Sequence, residues 1–548
     1  MDSSLKRNER ILIIDEQSLS QSYLRYALDE LGYQDVTIAD RPQLALSLCR
    51  ENHFSLIICS YNQGKGKDGY QLYEELKFSG LQKHTTGVIF ISAETDPTLV
   101  HSVIELQPDE FMAKPFVIKD LQVRIERVLK RKEQLRPLYQ LLDAHNYSAA
   151  LLYIDEQLSE VSQRKWFPLL LKLKGDILLI QQQYADAEQY FQAMLAIQPF
   201  SWAKMGLVRC YLHLGKEALA FTELEAMLMR SDSRLFALDL LAELEFKQHR
   251  YQIAQQHLID AADLAPRNLL RQQKLLQLSR LNHDYEIQYR AAKDMVKFAR
   301  YSIFEQPDLY LNLARASIDF ALSSENEEQN SRLNRQANLS LQNLQKQFGK
   351  QDFTEQQQIL QARLLYLQDH KDKAKALLRG LKVDSPIHSL EDALDKAKAL
   401  HEVGLTEASQ QLFEQISQYC LQQRTDPMFK AYLQQEQAER QQMQQGPREL
   451  NNNAVQLYQR GHWEQAFSAF SLAHQVMPKN AGIALNLWQT LLTSPRSLCP
   501  AKEQTQLLLQ CQRVIEQTSL KPDQQRRYDQ LKHKLQHAAA SGQNSVNF

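Results

Sequence analysis

Short apolar runs alternate with amphipathic stretches from residue 10 to about residue 130. RILII (10–14), VTIA (36–39), SLIIC (55–59), GVIFI (87–91) and EFMA (110–113) are strand-length and nearly free of charge, the pattern of strands covered on both faces. Between them, residues such as Leu24, Ala27, Leu28 and Leu31 recur at helical spacing. Ser18 reads as the N-cap of that first helix and Gly32 as its end. Further helices are expected from Pro42, over 70–78, over 97–106 and from about 118. Five strands each followed by a helix predict a doubly wound parallel sheet, whose functional crevice lies at the carboxyl ends of the strands.

Beyond residue 118 the pattern becomes helical with few strand signals, and the linker 127–136 is expected to be a continuous, semi-rigid helix up to Pro137. Lys130, Arg131 and Lys132 read as a solvated face of it. A repeat then emerges. Gly175, Tyr184, Ala187, Phe191 and Pro199 form one copy, and Tyr251, Ala254, Leu258, Ala261 and Pro266 another, two periods of about 34 residues on. Trp463, Ala466, Phe470, Ala473 and Pro478 repeat the arrangement. Small alanines allow paired helices to approach, aromatics fill the space between them, and proline ends the second helix. Residues 301–350 read as longer helices broken by a polar loop at 323–330, and 354–420 as two weaker helix pairs around Ala374 and Ala408. The Gln-rich run 433–453, with its Gly446-Pro447 break, reads as a hinge or a solvated helix.

Reading the strand ends places Asp15 and Glu16 after strand one, Ser60 after strand three, Ser92 after strand four and Lys114 after strand five. With IIDEQ (13–17), FISAE (90–94) and FMAKPF (111–116), the first domain resembles the receiver domain of two-component response regulators. The resemblance implies an acidic pair, a phospho-accepting Asp, a Ser or Thr, and a Lys-Pro with a cis peptide. It also puts Phe111 where the family often carries a mobile aromatic, although without a hydroxyl this ring is expected to pack inward. The repeats resemble tetratricopeptide repeats, which implies a solenoid that binds protein segments.

The acceptor does not match. Aligned on the strand, Ser60 takes its place; counted back from Asp68-Gly69 without a loop insertion, Tyr61 does. No Asp or Glu occurs from Asn52 through Lys67, so neither register supplies a carboxylate. An acyl phosphate needs an oxygen nucleophile already ionised at neutral pH, and a serine hydroxyl is a weak one without a neighbouring base. Asp15, Glu16 and Lys114 then read either as a salt-bridge cluster kept for stability or as a weak Mg²⁺ site at Asp15 and Glu16. Ser92 reads as a strand-end hydroxyl rather than a working switch.

At 548 residues the chain exceeds what one core organises. The expected division is a receiver-like domain at 8–132, tetratricopeptide-like repeats at 133–300, divergent helical repeats at 301–430, further repeats at 431–537 and a disordered tail at 538–548. A net charge of −1 removes the simplest support for nucleic-acid binding. The six scattered cysteines, the polar start and the lack of any long apolar stretch suggest a cytoplasmic protein without a disulfide framework. Histidines such as His249, His257 and His462 read as isolated helix positions, and no catalytic constellation, phosphate loop or cofactor motif is present. The expectation is a non-enzymatic signalling adaptor with no cofactor, contacting a histidine kinase or another two-component protein through the receiver and a second protein through the repeats. The alternative is a working regulator switched at a non-standard site or by a ligand in the crevice.

Overall fold

The computed structural model describes residues 9–61, 66–382, 386–443, 446–495, 497–518 and 520–540. Two compact units result, one comprising residues up to Gln272 with Lys297–Glu305, the other Gln273–Val296 with Gln306 onward.

The first unit opens with β1 (Ile11–Ile14), α1 (Ser18–Glu30), β2 (Val36–Ala39), α2 (Pro42–Glu51), β3 (Leu56–Ser60), α3 (Gly69–Phe78), β4 (Gly87–Ser92), α4 (Pro97–Glu105), β5 (Glu110–Ala113) and α5 (Ile118–Gln134). All strands are parallel, in the order β2-β1-β3-β4-β5. Alternation of side chains splits the core into two layers. Ile11, Ile13, Leu56, Ile58, Ile89 and Ile91 pack on α1 and α5, while Leu12, Ile14, Ile57, Cys59, Val88 and Phe90 pack toward α2, α3 and α4. The direction of strand addition reverses between β1 and β3. Ile14 pairs with Cys59 and Ser60 with Ile91, so the ends of β1, β3 and β4 open side by side.

Local chemistry departs from the sequence reading in several places. Ser18 is the first helical residue rather than a cap, and the turn before α1 is held instead by Asp15 Oδ1 accepting the Gln17 N–H at 2.9 Å. The linker is two helices, because α5 stops at Gln134 and a second helix, Arg136–Asp143, starts after Leu135. Of the run expected to be solvated, Lys130 is exposed, whereas Arg131 is partly and Lys132 largely buried. Both pair with Asp109, and Lys132, 9% exposed, lies 4.8 Å from the centre of the Tyr139 ring.

The helices that follow pair in succession, and the connecting turns repeat one device. A residue in the left-handed region follows the first helix at His145, Gln182, Gly215, His249, His283, Asp369, Gly404 and Gly461. That conformation releases the chain from the helix while returning N–H groups to its last carbonyls, which explains the recurring glycines. His249 therefore sits in a turn rather than on a helix, with Nδ1 2.8 Å from the Tyr251 hydroxyl; His145–Tyr147 and His283–Tyr285 repeat the pair. His462 lies at the N-cap of the helix Trp463–Val476. Phe191 is the wedge of the first recognised repeat: a Cβ on Gly175 or Gly206 would come within 2.5 and 2.2 Å of its ring.

In the second unit the polar loop expected at 323–330 shrinks to Ser324–Asn326. Asn326 caps a helix beginning at Glu327 by accepting the Gln329 N–H. Helix pairs at Thr354–Leu367 with Lys371–Arg379 and at Leu390–Glu402 with Thr406–Gln422 match expectation. The Gln-rich run is neither hinge nor solvated in its first part. The helix Pro427–Gln442 buries Leu433 and Glu436, because Glu436 joins Lys398 and Arg440 in an ion network; the break at Gly446-Pro447 is present. A helix continues to Ala540, and the rest of the tail expected at 538–548 lies outside the described residues.

Candidate functional site

At the carboxyl edge of the sheet, Asp15 leaves β1 fully buried and accepts from three groups. The Gln17 N–H lies on Oδ1, and Ser20 Oγ at 2.5 Å and Lys114 Nζ at 3.0 Å lie on Oδ2. Lys114 follows β5, its backbone N–H held by the Ser92 carbonyl at 2.8 Å, and the Lys114-Pro115 peptide is cis. Its ammonium also donates to Ser20 Oγ at 2.8 Å and reaches Ser60 Oγ only at 3.4 Å. The lysine is thus settled on the remaining carboxylate. Ser60 is the last residue of β3 and 4% exposed. Ser92, the last residue of β4, accepts the Glu94 N–H at 2.9 Å through its hydroxyl. Phe111 is half-buried, its ring stacked on Phe90 with centroids 6.3 Å apart. Glu16 points to solvent.

Asp15, Ser60, Ser92 and Lys114 therefore lie at one sheet edge, whereas Glu16 is turned away from the buried cluster. A Mg²⁺ ion demands near-octahedral oxygen donors. Asp15 has both oxygens engaged, one of them by the Lys114 ammonium. Among the described residues no three His, Cys, Asp or Glu side chains stand together as a metal site. The donor set present does not fit a resident Mg²⁺.

Gly69, the first residue of α3, packs directly against the end of β3. The Gly69 N–H donates to the Tyr61 carbonyl at 2.8 Å, and a Cβ on Gly69 would fall 2.1 Å from the Ser60 carbonyl oxygen, so only glycine fits there. Asp68 and Gln71 form a capping box at the start of α3. Tyr61 places its hydroxyl 2.6 Å from Arg267 Nη2. Burial raises the Tyr61 phenol's pKa while Arg267 opposes the rise. Burial disfavours the Arg267 charge as well, but Asp68 and Tyr61 outweigh it, so its pKa lies above the ordinary value. Arg267 was not singled out from the sequence. Its one signal is position, directly after the repeat-ending Pro266, and no spacing rule links that place to β3.

Residues 11–126 match the model of the response regulator receiver domain. The N-terminal part of this chain is thus a response regulator receiver domain. Among relatives, the "Probable transcriptional regulator ycf27" of Porphyridium aerugineum is 28% identical over 149 residues, 27% of this chain and 60% of that protein. The "Chemotaxis protein CheY-3" of Vibrio cholerae is 24% identical over 131 residues, 24% of this chain and 99% of the relative. A crystal structure of a CheY-like response regulator receiver domain protein from Methanospirillum hungatei is 21% identical and covers 23% of this chain and 97% of its own, with a TM-score of 0.21. The chain spans about half to three-fifths of the length of the first two ycf27 relatives, 49% and 60%. Among the described residues no helix is long and apolar enough to cross a membrane.

Proposed function

We propose that this protein is a non-enzymatic adaptor of two-component signalling, whose receiver contacts its partner without taking up phosphate. The observation that carries this reading is the pairing at the sheet edge. A buried serine stands at the acceptor position while Lys114 is committed to Asp15 and Ser20. Phosphoryl transfer to Ser60 would need a base at its hydroxyl, and the Lys114 ammonium, 3.4 Å from Ser60 Oγ, can only donate.

The surface of the receiver favours a docking role. Leu19 and Tyr26 on α1 are 86% and 57% exposed, and Val117 and Val123 at the start of α5 are 60% and 48% exposed. Tyr23 ties the two elements together by donating to the Phe116 carbonyl at 3.0 Å. Such a grouping of apolar side chains suits a protein partner. A histidine kinase is the partner class that the receiver resemblance implies. A receiver that occupies a kinase without removing phosphate dampens the output of a competing, phosphate-accepting one. The helical region, read as a tetratricopeptide scaffold on the Phe191 wedge and the repeating turns, would hold a second protein.

The test is phosphate uptake from labelled acetyl phosphate with Mg²⁺. The wild-type chain is expected to stay unlabelled, and Ser60→Asp to gain label, since Asp15, Ser92 and Lys114 are in place around it. Label on the wild-type chain that survives in Ser60→Ala would locate another acceptor and refute the reading; label lost in Ser60→Ala would make Ser60 itself the acceptor and refute it equally.

A further inference from the structure

We propose that the helices of the first unit are a built-in occupant of the receiver's α3–α4 face, clamping it through Arg267 and Arg271 and holding Tyr61 and the start of α3 in one arrangement. The inference goes beyond the adaptor reading and does not depend on whether Ser60 takes phosphate.

Both arginines stand where the helix Tyr251–Leu264 ends and the next begins at Leu269. Arg267 is 12% exposed. It donates to the Tyr61 hydroxyl at 2.6 Å and to Asp68 Oδ2 at 2.8 Å, and its guanidinium lies 4.9 to 5.4 Å from the ring centres of Tyr61, Tyr70 and Phe298. A planar cation enclosed by three aromatic faces and a carboxylate is held in position as well as charge. Arg271, 1% exposed, bridges Glu105 at the end of α4, Asp239 on the helix Arg234–Lys247 and the Ala265 carbonyl, each at 2.7 Å.

The receiver side answers with its own capping residues. Asp68 spends one oxygen on the Gln71 N–H, which starts α3, and the other on Arg267. Gln71 returns its side-chain oxygen to the Asp68 N–H and sends its amide nitrogen to the carbonyls of Phe298 and Arg300, at 2.8 and 2.9 Å. The same two residues thus cap α3 and grip the helical region. Moving the start of α3 requires breaking the contact with Arg267. This face is consequently closed to other proteins, and a partner of the receiver must engage it elsewhere.

Hydrogen–deuterium exchange on the full chain tests the clamp. Arg267→Gln is expected to speed exchange of the amides of Gln71–Tyr73 and Phe298–Arg300 at least tenfold while β1 and β3 keep their protection. Glu105→Gln, a change on the receiver side, is expected to speed exchange at the end of α4 and over Leu269–Gln272. Unchanged protection in both variants would overturn the proposal. Should Arg267→Gln loosen the helices throughout, Glu105→Gln decides alone, because a single neutralised receiver carboxylate leaves the helix pairs intact: local loosening supports the clamp and no change refutes it. Phosphate labelling is not read by this experiment, so either result can fail without the other.

Discussion

Replacing Arg363 by methionine should be among the most costly single changes in the second unit. Arg363 lies on the helix Thr354–Leu367, 1% exposed, and donates to three carboxylates at once. Glu402 accepts three of these bonds at 2.7 to 3.2 Å, and Asp395 and Asp319 accept one each at 2.7 Å. After the substitution Asp319 keeps Lys398 and Gln288 and Asp395 keeps Arg315, but Glu402 loses all three. Breaking a buried pair from one side costs about 3–5 kcal/mol, since a charge loses its hydrogen-bonded partner, and Glu402 is left with only the more distant attraction of Arg440. For a unit of this size that lowers the unfolding midpoint by roughly 6–20 °C at about 2–4 °C per kcal/mol. The assay is thermal unfolding by circular dichroism at pH 7, beside the double variant Arg363→Met/Glu402→Gln, which removes the stranded charge and should recover at least half of the loss. The pH dependence has a definite sign. Burial pushes the Asp319 carboxyl up, but Lys398 and Arg363 more than offset it and hold it well below the usual range. A depressed carboxylate adds stability above its unfolded value that is lost as pH falls. The gap between wild type and variant should therefore be widest at neutral pH and narrow toward acid. A variant midpoint within about 2 °C of wild type, or no recovery in the double variant, would refute the argument.

Two further predictions concern titration. Glu74, on α3, is pushed up to about 7 by burial, with Arg267 opposing and Asp68 adding to the rise. Its charge is thus a penalty that is absent near its ordinary value of 4.5 and complete above pH 7. Glu74→Gln should stabilise the first unit by about 1–3 kcal/mol at pH 8, the side chain being partly screened by water, and by nothing near pH 4.5. Urea unfolding at the two pH values checks it; an equal effect at both would contradict the assignment. His474 is held down to about 4 by burial, with Cys511 Sγ 3.9 Å from Nε2. The neutral ring is what the fold accepts, so stability is full above the ordinary 6.5 and falls by about 3 kcal/mol as pH drops toward 4. His474→Leu should remove that share of the acid loss, measured as the difference between variant and wild-type urea midpoints at pH 7 and pH 4.5; parallel losses would argue against it.

The receiver was legible because its signals are local. Each strand is a run such as LIIC or VIFI that only a covered sheet accommodates, and the residue after each run had to fall at the sheet edge. Asp15, Ser60, Ser92 and Lys114 could therefore be placed together without knowing a single distance. The orientation of Glu16 could not, because the turn after β1 is set by Asp15 accepting the Gln17 N–H, a choice among equally polar neighbours. The buried charges of the second unit were hidden for a different reason. Arg315, Arg363, Lys398 and Glu436 sit on helices whose polarity reads as solvent exposure, and only the convergence of helices far apart in sequence turns those faces inward.

Arg267 joins both lessons. On its own helix junction it is one more surface-type residue, yet it closes over Tyr61, the alternative candidate for the acceptor position. Ser60 and Tyr61, the two residues that could take that position, are adjacent parts of one arrangement. Ser60 faces Lys114 at the sheet edge, and Tyr61 faces Arg267 at the clamp. With serine at the end of β3, Lys114 is held by Asp15 and Ser20, while the next residue, Tyr61, is held from the helical side by Arg267. On the adaptor reading proposed above, Tyr61 and the start of α3 are held by helices of the first unit and not by a phosphate on β3, a division of labour that suits a scaffold better than a phosphate-driven switch.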